Sequence, residues 1–453
     1  MSERAAIRLA REATEVLART GVQAVALTWV DNAGITRVKT VPLPRLEHAV
    51  RWGVGMSPVF DVFCVDDSIT TSAHIGGPVG DLRLYPDLDR LTVLAGQRGW
   101  AWAPVDRRTQ EGEVWPACQR SFARRTAAVA ADAGIELQMA FEVEWFVGRP
   151  GADGDATVPA CTGPAYGMTR VTELSDYARD VLAALDAQGV AVDQFHPEYA
   201  AGQLELSTAA TDPVGAADTV VLVKQTIRAI SFAHGLVPSF APVVVLGQVG
   251  NGGHVHLSAW SGGVNMMTGG DGPHGLTGRG EAIVAGLLAR LPALCAIGSP
   301  SVTSYYRLVP HRWAGAFQCW GLENREAAVR LVKGSTGNEE TAANVELKCF
   351  DASANPYLLA GAVASVVAAS VDSEAHLPGE VTVDPAGLPP SEQPARLPQS
   401  LPEAIAALEA DEVLRAALGE PLTEAFLAVR RAEVELCTGR ADEEVVALTR
   451  WVY

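Results

Sequence analysis

The sequence predicts a two-domain α+β fold, on three observations. An early hairpin signal belongs to a small unit with one long helix, and a polar, proline-bearing stretch from Pro104 to Pro116 closes that unit. Beyond it, long helical patterns alternate with short strands to the end of the chain. The boundary is expected at residue 110, giving domains 1–110 and 111–453. At 453 residues, 48% hydrophobic and 19% charged, the chain is long enough for two cores and lies well away from disordered compositions.

The elements follow in order. An amphipathic helix is expected over Glu3–Arg19 and a strand over Val22–Val30. Turn chemistry at Asp31-Asn-Ala-Gly34 then returns the chain along Ile35–Val41. A short helix near Leu46 and strands at Leu82–Tyr85 and Leu91–Leu94 complete the first unit. In the second, helices are expected at Ala117–Ala133, Glu173–Gln188, Pro213–His234, Gly280–Ala296 and Pro356–Val371. Asp212 before Pro213 is a sound start, because an aspartate caps free amides and proline tolerates the first helical position. Strands are expected at Leu137–Val147, Gln203–Ser207, His254–Trp260 and Asn344–Phe350, with surface loops at Gly148–Gly154 and Gly262–Gly280. A proline-rich connector, Val381–Pro402, leads to a helical C-terminal segment.

Composition excludes several function classes. Thirty-five basic against 53 acidic residues give a formal charge of −18, which repels nucleic acid and anionic lipid. The charged start and the lack of an uninterrupted apolar run of spanning length argue against a secretory or membrane protein; the apolar stretch Leu358–Val371 reads as a buried helix. Seven cysteines without CxxC spacing suit reduced thiols in a cytoplasm.

The chemistry lies in four strands. Residues two apart share one face of a strand, so Glu142 and Glu144 point together while Phe141, Val143 and Trp145 point the other way. His254, His256 and Ser258 repeat the pattern, as do Glu346 with Lys348 and Glu205 between Leu204 and Leu206, seven residues after Glu198. One such strand is an ordinary half-buried strand with a solvated face. Four in one domain point to a shared site, because side-by-side buried carboxylates repel unless a divalent cation neutralises them. Carboxylate oxygens with an occasional imidazole suit magnesium or manganese.

These segments resemble the glutamine synthetase family, type I and its paralogues, along nearly the whole chain. The landmarks are E-x-E at Glu142 and Glu144, E-x-x-x-G-Q-x-E from Glu198 to Glu205, and G-x-G-G-H-x-H-x-S from Gly250 to Ser258. S-Y-x-R-L-V-P from Ser304 to Pro310, E-N-R-x-x-x-x-R from Glu323 to Arg330, and D-x-x-A-N-P-Y-L from Asp351 to Leu358 follow. The resemblance implies an N-terminal β-grasp domain and a catalytic domain built on a curved, mainly antiparallel sheet with helices. It implies ATP-dependent ligation, in which glutamate's side-chain carboxylate is phosphorylated and an amine displaces the phosphate, with two or more magnesium or manganese ions per site. By analogy Glu144, Glu198 and Glu205 hold one cation, and Glu142, His254 and Glu346 the other. His256 and Ser258 contact ATP, Arg325 stabilises the transferred phosphoryl group, and Arg330 meets the nucleotide phosphates. Arg307 clamps glutamate's α-carboxylate beside the Gly250 backbone. The family also implies a homo-dodecamer of two stacked hexamers, with active sites between subunits.

The departures concern the acceptor. Where ammonia-using members carry a flap glutamate, this chain has Trp313, and indole accepts no proton. The ammonium-site pattern is reduced to Cys64-Val-Asp66-Asp67-Ser68-Ile69, leaving Asp66 as the surviving acid. Val249 replaces an expected asparagine and Lys348 an expected arginine, so the glutamate pocket is altered; a lysine there can still meet a carboxylate. The regulatory tyrosine of type I enzymes is absent near Asp384-Pro-Ala-Gly. The whole resembles actinobacterial paralogues that glutamylate polyamines or ethanolamine. The expected substrates are therefore L-glutamate and a primary amine larger than ammonia, with Trp313, Gln318-Cys319-Trp320 and Asp66 as candidates for the amine pocket; plain core packing is the other reading of the two tryptophans. A true glutamine synthetase is disfavoured by Trp313, an idle paralogue by the intact metal ligands, and a guanidino-kinase-type phosphotransferase by the motif order.

Overall fold

A computed structural model of the chain describes residues 3–151 and 155–453. The first helix, Glu3–Arg19, leads into a six-stranded sheet made of β1 (Ala24–Val30), β2 (Thr36–Pro42), β3 (Val54–Met56), β4 (Leu82–Pro86), β5 (Thr92–Val93) and β6 (Trp100–Thr109). Its order is β2-β1-β6-β4-β3, with β5 also on β6. The central strand β6 corrects the reading of Pro104–Pro116 as a connecting stretch. Its proline is tolerated because the parallel β1–β6 ladder ends at Thr28 opposite Pro104, while the Pro104 carbonyl still accepts the Asp87 amide at 2.9 Å. The expected strand at Leu91–Leu94 shrinks to the two residues of β5, behind a short 3₁₀ turn at Leu88–Arg90.

The second sheet has ten strands: β7 (Glu136–Arg149), β8 (Val158–Pro159), β9 (Val192–Pro197), β10 (Gln203–Thr208), β11 (Val237–Ser239), β12 (Val255–Ser261), β13 (Val264–Asn265), β14 (Phe317–Leu322), β15 (Ala327–Val332) and β16 (Asn344–Leu347). The main path runs β14-β15-β16-β12-β7-β10-β9, antiparallel throughout except between β14 and β15. The two edge strands were not foreseen. Val192–Pro197 alternates poorly because only Pro197 of β9 is buried, and β14 mixes Gln318, Cys319 and Gly321 into its run.

Apolar side chains of β7 fill the core on one side: Phe141, Val143 and Trp145 are buried beneath helix Pro213–Ala233. That helix starts as expected, with the Asp212 carboxylate accepting the Val214 and Gly215 amides. Helix Pro356–Ser370 is buried almost all round and touches four neighbouring helices. Helix Gly278–Gly298 is long and apolar enough to cross a membrane by length and composition, but 83% of its apolar window is buried inside the protein. Four further helices follow the connector: Leu401–Ala410, Glu412–Leu418, Glu420–Cys437 and Asp442–Thr449.

Both glycine-rich loops need revision. β7 runs through Gly148 to Arg149, and residues 152–154 of the expected loop lie outside the described residues. The stretch Gly262–Gly280 holds β13 and buries Met266, Met267 and Leu276, because the Thr277 amide ties it back to the Met266 carbonyl at 3.1 Å. The early hairpin turn docks on the larger unit. Asn355 Nδ2 donates to the carbonyls of Val30 (3.1 Å) and Asp31 (3.0 Å), and Arg430 Nη2 to that of Asn32 (3.1 Å). Gly34 (φ +82°) lies so close that a Cβ there would stand 2.0 Å from the Ser353 carbonyl oxygen.

Candidate active site

Strand register assembles the site. On β7, Glu144 stands opposite Glu205 of β10, while the Glu142 amide donates to the His254 carbonyl at 3.0 Å. On the other flank Glu346 of β16 lies between His256 of β12 and Arg330 of β15. All face a cavity of about 1040 Å³.

Two clusters of ligand-type groups result. Glu142, His254 and Glu346 have ligand atoms within 4.8 Å of one another: His254 Nδ1 is 3.0 Å from Glu142 Oε2 and 3.1 Å from Glu346 Oε1. This is the trio expected for one cation. The other cluster is His196, Glu198 and Glu205, with His196 Nε2 3.2 Å from Glu205 Oε1. Glu144 lies between the clusters. Its Oε2 accepts Gln203 Nε2 at 2.7 Å, and its Oε1 is 3.8 Å from His254 Nε2.

The electrostatics show what this arrangement asks for. Burial pushes the Glu144 carboxyl up, and the Glu205 charge adds to it despite His254. Burial, then Glu144 and Glu205, raise Glu198 to about 7. By contrast Glu142 is held well below the usual carboxylate range: burial opposes ionisation, but hydrogen bonds from His254 and His256 outweigh it. Burial and Lys348 work against a charge on His254, yet Glu142 and Glu346 lift it to about 9. A hydrogen bond to Glu205 lifts His196 likewise to about 9. Imidazoles whose protonated form is favoured thus partly offset the crowded carboxylates. A divalent cation in each cluster supplies that charge better, since it accepts carboxylate oxygen and neutral imidazole together, so the donor set fits the expected metals.

A basic wall faces the clusters. Arg330 Nη1 donates to Glu346 Oε2 at 3.0 Å and its other nitrogens to Glu323, while Lys348 Nζ meets Glu346 Oε1 at 2.9 Å. Arg307 Nη2 reaches His254 Nε2 at 3.2 Å, and its buried Nη1 has no partner, which leaves a donor for a ligand. Arg325, Gly250, His256 and Trp313 also line the cavity. Trp313 is 51% exposed and, like His311, adopts positive φ (+51° and +60°).

Other expectations change. Ser258 stands off the wall, two residues further along β12, with its Oγ accepting Trp260 Nε1 at 2.9 Å. Asp66 is also off the wall of its own chain: it is exposed on the smaller unit and accepts the Ser68 amide at 3.0 Å. Gln318, Cys319 and Trp320 are not part of the cavity. Trp320 is core, donating to the Pro378 carbonyl at 2.8 Å, while Gln318 and Cys319 line a separate, smaller cavity. The sequence reading missed His196, Gln194, Tyr166 and Arg312, which also line the main cavity. His196 had a signal, two residues before Glu198, where strand alternation puts both on one face. Tyr166, which donates to Glu198 Oε2 at 2.8 Å, had none.

Two carboxylate–imidazole clusters beside Arg307, Arg325 and Arg330, on a mainly antiparallel sheet, make a candidate metal-binding active site. The chain belongs to the glutamine synthetase family of ligases: the family's catalytic-domain model matches residues 116–446. It is 57% identical over 441 residues to the gamma-glutamylpolyamine synthetase GlnA3 of Streptomyces coelicolor, covering 96% of this chain and 94% of that protein. It is 28% identical over 422 residues to the glutamine synthetase of Pyrococcus abyssi, covering 91% and 90%. Among solved structures, a novel glutamine synthase homolog superimposes with TM-score 0.85 at 31% identity, covering 95% of this chain and 99% of that one. A GmaS–ADP complex superimposes with TM-score 0.83 at 27% identity, covering 95% and 97%.

Proposed function

We propose that this protein joins the γ-carboxyl of L-glutamate to a primary amine group of a polyamine, using ATP and passing through a γ-glutamyl phosphate. One observation carries the reading: the cation clusters and basic wall are complete, while Trp313 stands at the cavity mouth where a base for ammonium would be needed. The 57% identity to a gamma-glutamylpolyamine synthetase supports the choice of acceptor.

The side chains divide the work by position. Glu142, His254 and Glu346 form one cation site, and Glu198 and Glu205 the other, with Glu144 or His196 completing it. Magnesium or manganese there screens the phosphates of ATP from the attacking carboxylate. Arg307, with its free Nη1, holds the α-carboxylate of glutamate, helped by Lys348 and the Gly250 backbone. Arg325 and Arg330 stabilise charge on the transferring phosphoryl group and the nucleotide, and His256 lies on the same side. Trp313 offers an apolar wall and a π-face to the cationic amine.

The same reading makes the enzyme a dodecamer of two stacked hexamers, with a neighbour's N-terminal unit closing each site. The exposure of Asp66, away from its own cavity, supports this, since a neighbour's Asp66 would then complete the amine pocket. Phosphate release by the purified chain with ATP, glutamate and magnesium tests the acceptor. Strong release is expected with putrescine, spermidine or spermine; equal or better turnover with ammonium would overturn the assignment.

A further inference from the structure

The residue after Arg325 bears on the flap at the cavity mouth. Glu326 is buried, at 7% exposure, and its amide is fixed by Asn324 Oδ1 at 3.0 Å. Its Oε1 accepts the backbone N–H of Trp313 at 3.0 Å, while its enclosed Oε2 has no hydrogen-bond partner. No basic side chain is committed to it. Lys348 is taken by Glu346 at 2.9 Å, and His311 Nδ1 by Asp384 at 3.1 Å. A buried carboxyl with one oxygen unpaired costs stability, so a polar residue placed there needs a compensating role.

The flap supplies that role. Two non-glycine residues in it, His311 and Trp313, hold positive φ, a conformation that side-chain-bearing residues leave unless something fixes them. Three side chains tie the segment down. Arg312 Nη2 donates to the Gly247 carbonyl at 3.0 Å and His311 meets Asp384, but both ties are exposed and weak in water. The Glu326 bond is the sheltered one, and a carboxylate accepting a backbone N–H is among the stronger hydrogen bonds.

We propose that Glu326 is a positioning residue, a latch that holds the Trp313 flap closed over the cavity and so keeps water from the activated glutamate until the amine attacks. The consequence for catalysis rests on the ligase reading above; the latch itself does not. Glu326→Ala removes the acceptor, whereas Glu326→Gln keeps an oxygen for the Trp313 amide, removes the charge and sets an NH2 group where Oε2 stands.

Hydrogen–deuterium exchange on the full chain, together with phosphate release with and without putrescine, tests this. In Glu326→Ala, exchange at residues 309–315 should quicken roughly ten- to a hundredfold. The share of phosphate released without amine should rise at least several-fold, and Glu326→Gln should restore both values toward wild type. Unchanged exchange in Glu326→Ala would overturn the latch, as would a Glu326→Gln variant as defective as Glu326→Ala. If wild type shows no amine-stimulated release at all, the ligase reading falls, while the exchange result still decides the latch.

Discussion

Gly252 gives a demanding test of the site geometry. A Cβ built there would lie 2.6 Å from Glu144 Oε1, 2.7 Å from His254 Nε2 and 2.8 Å from Arg307 Nη2. Ordinary contact needs about 3.5 Å, so Gly252→Ala must push each of three buried groups back by about 0.5–1 Å. Overpacking of this kind costs about 1–3 kcal/mol of stability. The activity loss should be larger, because misplacing reacting or binding groups by about 1 Å costs on the order of a hundredfold in rate. The assay is kcat/KM for putrescine-dependent phosphate release, measured beside a denaturant unfolding curve. A hundredfold fall with a folded protein is expected. Activity within threefold of wild type would show that these three side chains do not work from their observed positions.

Four further outcomes are expected. Glu346→Ala, which removes a carboxylate shared by His254, Arg330 and Lys348, should abolish turnover with every amine, and retained activity would remove the metal assignment. Adding magnesium or manganese to the wild-type chain should raise its melting temperature, by the equivalent of about 2.7 kcal/mol at a hundredfold excess over Kd; an equal shift in Glu346→Ala would count against that ligand set. Trp313→Glu should gain ammonium-dependent phosphate release, and a variant with none would weaken the role given to the flap. Arg107→Ala should cost about 3–5 kcal/mol in denaturant unfolding, because it leaves the buried Asp61 carboxylate, 2.6 Å from Arg107 Nη1, without its counter-charge. A loss below 1 kcal/mol would show that water reaches the pair.

Which carboxylates and imidazoles share a strand face was legible before the fold was known, because strand geometry does that deduction. A two-residue repeat fixes Glu142 with Glu144 on one face and their apolar neighbours on the other, whatever the strand pairs with. The same logic fixed His254 with His256. Helix starts at Asp212-Pro213 and Asn355-Pro356 were equally local, since the cap and the first turn lie within a few residues. Fully local signals failed where a residue's meaning depends on its neighbours in space. Pro104 read as a break and is inside a central strand, and Trp320, which the sequence left open between pocket and core, is core.

What the sequence determined by itself is the chemistry on offer: acidic and imidazole groups in alternation, arginines in motif positions, and Trp313 three residues after Pro310. The tertiary structure alone decided the partnerships. Register set Glu144 against Glu205 and Glu346 between His256 and Arg330, and the pairing of β9 with β10 brought His196 to Glu205. It also put Glu326 behind the Trp313 flap and kept Asp66 out of its own cavity. The physical reason is one of range. Side-chain direction follows from backbone geometry over two to four residues, whereas the charge around a carboxylate is set by groups that can be more than a hundred residues away in sequence, as Glu346 is from Glu142.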